Sequence, residues 1–267
     1  MKPVATAMAA RLMATVAVMS FAAGCATTRF PLPDESSRIN DPAVLFQRIA
    51  ARRDRILNVS TTGRISSKSS QGLLSGRLTT AVTRAGLVRL DAWTPTWDLV
   101  GSFVGDPEGF VYFQRGDGRC CIGESTPPVI GSLLPIGLDY DSMARLLAGS
   151  PPAVDALSWR IEWDITAGAW LLSGRGADGG VRKVWADGDG VTRRVVVSGP
   201  GNSLDIRFED FVPVGDESMA SRISISSKKQ TTTVYFKDID VNGGVTPDDF
   251  VQQCPEGAGI VYIGLPE

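Results

Sequence analysis

Apolar and polar residues change their spacing several times along the chain, and each change marks a different kind of segment. Leu12 to Ala23 is an unbroken run of apolar and small residues, with Lys2 and Arg11 as the only charges before it and Gly24-Cys25 directly after. Residues 26–40 have no periodic apolar face and contain Pro31 and Pro33, which predicts a polar, flexible tether. At Asp41-Pro42 the pattern turns helical: an N-cap aspartate, proline at the first position, then Val44, Leu45, Ile49, Arg52 and Ile56 at helical spacing to about Leu57.

From Val59 the period is two. Segments 59–68, 72–83, 86–93, 97–104 and 109–114 each alternate and are bounded by turn-forming clusters, with a short strand at 120–122 closing the run. Pro127-Pro128 then opens an apolar stretch punctuated by Gly and Pro, with Val129, Ile130, Leu133, Leu134, Ile136 and Leu138. Asp139 or Asp141 caps a second helix carrying Met143, Ala144, Leu146 and Leu147, stopped by Gly149 and Pro151-Pro152. Strands resume at 158–166, 169–174, 181–186, 192–198, 203–208, 221–226 and 231–241, with hairpin turns such as Asp187-Gly188-Asp189-Gly190 between them. The pattern predicts eleven to thirteen strands, two helices and, because connections are short, an antiparallel sheet.

The opening apolar run is too short to cross a bilayer core of about 30 Å as a helix, and with its charged start it reads as an export signal over residues 1–24. Ala22-Ala23-Gly24-Cys25 resembles the lipobox of bacterial lipoproteins, with alanine where leucine is commoner. That resemblance implies cleavage before Cys25, lipidation of its sulfur and stable anchoring, since each buried CH₂ contributes about 0.8 kcal/mol and a triacylated cysteine carries more than one chain. Ala26 rather than aspartate follows, which favours the outer membrane, on its periplasmic side, as the address.

Composition removes whole classes of function. The formal net charge is −2, which argues against nucleic acid as a partner, and the chain has no histidine. Catalysis by Ser-His-Asp or Cys-His, histidine bases and nearly all zinc sites are thereby excluded, and neither a catalytic residue, a cofactor nor a metal is expected. Of the four cysteines, lipidation takes Cys25. The others predict a bridge from Cys254 to Cys120 or Cys121, with Cys121–Cys254 the pair adopted. Asp238-x-Asp240-x-Asn242-Gly243 has the opening marks of a calcium loop, but it follows an alternating strand and reads as strand plus acidic turn. Glu162 and Asp164 share a strand face and read as solvated carboxylates.

Candidate cavity residues come from the aromatic and leucine positions. Trp93 and Trp97 flank a turn, and Trp159, Ile161, Trp163 and Ile165 share one strand face. These, with Leu133, Leu134, Met143, Leu146 and Leu147, are the residues expected to line or cover an apolar cavity or to fill an ordinary core.

The order of elements resembles the LolA/LolB-like superfamily of lipoprotein carriers. The resemblance covers most of residues 41–263. It rests on the lipobox, tether, first helix and strand order, on Leu133-Leu134-Pro135-Ile136-Gly137-Leu138 before the second helix as a lid, and on Asp240-Val241-Asn242 with Thr246-Pro247-Asp248-Asp249-Phe250 as late strand and closing turn. It implies a mostly β, α+β fold: an open antiparallel barrel of about eleven strands, with a helical lid, in a single domain over 41–267. It also implies an acyl-chain or lipoprotein ligand; the alternative is a structural lipoprotein serving as a protein-binding platform in an envelope complex. The exposed leucine loop of that family's outer-membrane receptor has no counterpart legible in the pattern.

Overall fold

The computed structural model describes residues 30–70, 72–133 and 138–264. Cys25, the segment before it and Leu134 lie outside the described residues.

The strands are β1 (Asn58–Ser69), β2 (Gly72–Thr83), β3 (Val88–Trp93), β4 (Leu99–Gly105), β5 (Gly109–Gln114), β6 (Arg119–Glu124) and β7 (Trp159–Asp164). They continue as β8 (Ala169–Arg175), β9 (Val181–Ala186), β10 (Thr192–Gly199), β11 (Asn202–Val214), β12 (Glu217–Ser227), β13 (Gln230–Val241) and β14 (Gly259–Ile263). All fourteen form one sheet, in the order β14-β6-β5-β4-β3-β2-β1-β13-β12-β11-β10-β9-β8-β7. The sheet is open, because β14 and β7 are its two edges. The expectation of about eleven strands is therefore corrected to fourteen, and the antiparallel rule has one exception: β14 runs parallel to β6. A parallel partner must arrive by a crossover, which residues 242–258 provide. Gly259 and the four apolar residues after it, beyond a Pro- and Gly-containing segment, show no alternation to announce a strand.

Three helices cover the concave face. In α1 (Pro42–Arg55) the Asp41 carboxylate accepts from the Ala43 N–H at 2.9 Å, and Pro42 occupies the first turn. Leu45 is fully buried, with Phe46 and Ile49 beside it on the cluster formed by β7–β13. α2 (Pro127–Leu133) forms within the apolar stretch punctuated by Gly and Pro, and α3 (Tyr140–Leu147) is capped by Asp139, whose carboxylate accepts from the Ser142 N–H at 2.8 Å. Met143 and Ala144 of α3 belong to the core over β1–β6, and Leu146 to the core over β7–β13, so this helix joins the two halves.

Two features bend and lock the sheet. At Gly63 the β1–β13 register shifts, and an added Cβ would lie 2.1 Å from the Tyr235 carbonyl oxygen. The extra residue is Lys237 on β13, and a bulge opposite a residue without a side chain lets the two backbones close up and increases the local twist. The second feature is a buried ion pair. Arg52 of α1 donates to the Glu217 carboxylate and the Ser218 carbonyl, and Arg55 Nε reaches Glu217 Oε1 at 2.6 Å. Burial pulls the Arg52 pKa down, and Glu217 opposes that shift.

The cysteine pairing is also corrected: Cys120 bridges Cys254, and Cys121 is free. Strand alternation explains it. Cys121 opposes Tyr112 on the concave side, packed against the β1–β6 core, whereas Cys120 faces the convex side. Residues 242–258 cross that convex side as a strap. Arg89 Nη1 donates to the Asp249 carbonyl at 3.0 Å, and Ser102 Oγ lies 2.9 Å from Gln252 Oε1. Thr246 and Asp249 close the turn through Thr246 N–H to Asp249 Oδ2 at 2.7 Å. Asn242, with φ of 58°, accepts from the Leu57 N–H at 2.6 Å and donates to the Arg55 carbonyl at 2.9 Å, so it ties the end of β13 to the end of α1.

Residues 30–40, expected as tether, are mostly exposed but touch the body at Phe30 and Ile39. Ile39 is buried in the main core, and Glu35–Ser37 form a 3₁₀ turn.

Candidate functional site

Between the middle of the concave face and the helices lies a cavity of about 440 Å³. Inward strand positions build its floor: Leu78 on β2, Leu90 on β3, Phe103 on β4, Ile223 and Ile225 on β12, and Phe236 on β13. Period two makes these positions neighbours on one face. Leu133, Leu138, Met143, Leu146 and Leu147 form the roof. Met143 and Leu146 are almost completely buried, so the roof is held by the core as well as bordering the void.

No charged side chain borders the cavity among the described residues. Its polar groups include Tyr112 and Gln114, whose side chains meet with the Tyr112 hydroxyl donating to Gln114 Oε1 at 3.3 Å. Burial raises the Tyr112 pKa, with the neighbouring Cys121 acting in the same direction, so the phenol stays neutral in any ordinary buffer. A wall without charge offers nothing to a charged headgroup and loses little by meeting methylene groups. The size falls within the usual range of about 300–1,000 Å³ for small-ligand sites.

At one rim the exposed residues Leu74, Pro95 and Val100 border the cavity and mark its mouth. Leu73 and Leu74, beside the β1–β2 turn, are strongly exposed. As adjacent residues they point to opposite faces of β2, whose outer end protrudes beyond the core, so both are exposed.

The structure brings together Trp93, Leu133, Met143, Leu146 and Leu147 of the expected set. Trp93 does so at the rim: its indole Nε1 donates to Thr79 Oγ1 at 3.1 Å, and a register irregularity between Ala92 and Trp93 turns the strand there. Trp97 lies outside the lining, half exposed, edge-on to Trp93 and under the Arg77 guanidinium. Trp159 and Trp163 are likewise elsewhere. Trp159 meets Phe46 of α1 edge-on at 5.0 Å, and Trp163 meets Trp170 at 5.4 Å, so both fill the core beneath the first helix. Helix α1 sits over the β7 end of the sheet, and the void lies over β1–β5 together with β12 and β13. Tyr112, Ile223 and Phe236 were readable as inward strand positions, but a pattern of alternation does not say which inward positions a helix will cover.

The fold has solved counterparts. A candidate outer membrane lipoprotein-sorting protein domain from Vibrio parahaemolyticus aligns with a TM-score of 0.54 and 13% identity, over 77% of this chain and 94% of that one. A LolA superfamily protein from Nitrosomonas europaea aligns at 0.53 and 8% identity, over 80% and 99%. A DUF1329 family protein from Desulfovibrio piger gives 0.58 at 8% identity, over 80% and 98%. No family model and no curated protein matches the sequence. At these identities the likeness is one of fold, and at that level the chain is LolA-like: an open, mostly β sheet curled around helices.

Proposed function

We propose that the protein is a lipid-anchored envelope protein that carries or senses an acyl chain, of a lipid or a lipoprotein, in the cavity beneath α2 and α3. The observation that carries this reading is the cavity itself, about 440 Å³ and without a charged side chain among its described lining residues. Removing a chain of about fourteen carbons from water gains roughly 10 kcal/mol at 0.8 kcal/mol per CH₂, before ordering costs are met. A LolA-like fold supports the same reading, as does exposed Leu74 at the mouth, where an incoming chain meets apolar surface before it meets the interior. The lipobox supports acylation of Cys25, and Ala26 after it supports an outer-membrane address. No catalytic role is proposed.

The test is uptake of a fluorescent fatty acid by the chain from Ala26 onward. Saturable binding that is abolished in Ala92→Trp, which fills the cavity from its wall, supports carriage. An equal signal in both proteins places the dye on the surface and overturns it.

A further inference from the structure

The N-terminal arm leaves the body at a defined place. The Phe30 N–H donates to the Ile165 carbonyl at 2.8 Å, and the Phe30 ring lies against Gly168, where an added Cβ would sit 2.5 Å from it. Phe30 is therefore seated on the β7–β8 turn. Cys25 precedes it by five residues, a span that reaches at most about 18 Å at roughly 3.6 Å per residue.

Strand directions then place that exit relative to the cavity. From β7 through β13 and on to β2, every neighbouring pair is antiparallel. Turns therefore alternate between the two rims: β7–β8, β9–β10 and β11–β12 on one, and β8–β9, β10–β11, β12–β13 and β1–β2 on the other. The cavity mouth, with Leu74, is on the rim opposite Phe30. At some 3.3 Å per residue the rims are about 40 Å apart along the twelve residues of β1 and about 20 Å apart along the six of β7.

The rim that holds Phe30 is also apolar at that spot. Phe30, Leu32 and Ile165 are 44%, 66% and 40% exposed, and the first and last are joined by the backbone hydrogen bond. Charge at this rim is mixed: the nearby turns carry Asp164, Asp187 and Asp189, with Arg193 paired to Asp187 and Arg48 donating to the Gly188 carbonyl, which leaves no basic patch to select acidic lipid.

We propose that this rim lies on the membrane that holds the Cys25 acyl chains, with Phe30, Leu32 and Ile165 resting in the bilayer interface and the cavity mouth facing away. The occupant of the apolar patch is the lipid surface. Cargo then enters from the aqueous side and does not slide in from the anchoring leaflet. The inference rests on a lipid at Cys25 and is independent of what the cavity holds.

The experiment supplies the anchor chemically, so it stands apart from both cargo and in vivo acylation. The chain from Cys25 onward, carrying Cys121→Ser, is coupled through Cys25 to a maleimide phospholipid in phosphatidylcholine vesicles containing a headgroup nitroxide lipid. A dansyl amino acid replaces Ala167 on the near rim or Leu73 on the far rim, with Thr166 and Lys229 as a second pair; all four are exposed. Quenching severalfold greater at 167 and 166 than at 73 and 229, lost when a twenty-residue Gly/Ser linker is inserted before Phe30, is the expected result. Equal or reversed quenching, or a contrast that survives the linker unchanged, overturns the proposal.

Discussion

Two arginines one turn apart on α1 converge on Glu217, a carboxylate buried at the start of β12. Removing one partner of a buried pair leaves an uncompensated charge, at a cost of about 3–5 kcal/mol. Glu217→Ala is expected to lower unfolding stability by that amount in urea titrations, and a loss below about 1 kcal/mol would contradict the account. Nothing in the sequence announced this pair, because its members are 165 positions apart and Arg52 sits within an otherwise apolar stripe. Asp164 gives a second test at the same scale. Its pKa falls to about 2, first through the Thr166 hydroxyl and, against the opposing effect of burial, also through Trp185 Nε1. An unfolded aspartate titrates near 3.9, so the group's stabilisation is complete above about pH 4 and disappears as pH falls to about 2. The stability gap between the native protein and Asp164→Asn should narrow over that window; a gap constant from pH 6 to 2 would contradict it.

Among the elements, the C-terminal strap shows how far alternation can be read and where it stops. Adjacent residues on a strand point to opposite faces, so the sequence limits the bridge to Cys120 or Cys121. The choice between them depends on which face the strap crosses, and that is decided by Asp249 and Gln252 far along the chain. The structure predicts that Cys121→Ser leaves the Cys254 bridge intact by mass under non-reducing conditions, whereas Cys120→Ser removes it. The bridge closes a span of 134 residues, and its loss should cost about 2–5 kcal/mol. Hydrogen exchange should rise first in β14, whose only sheet neighbour is β6; unchanged protection there would contradict the strap's role. The first helix, by contrast, was legible to within two residues, because Asp41-Pro42 is a local signal whose hydrogen bond forms as expected.

At the scale of the molecule, the sequence made the open, mostly β architecture readable from element order, and the roof of the cavity from Leu133, Met143, Leu146 and Leu147. It left Trp159 and Trp163 open between cavity and core, because the whole concave face is apolar and only the seating of α1 over the β7 end decides which part is filled. That asymmetry is what turns a curled sheet into a container: its β7 end is packed by Leu45, Phe46 and Ile49, and its middle is roofed with space left below. The most direct test of the central claim is native mass spectrometry of the chain from Ala26 onward after incubation with a long-chain fatty acid. The account predicts one acyl chain per protein, retained on desalting and lost in Ala92→Trp at unchanged Tm. A clean unliganded mass for both proteins would contradict it.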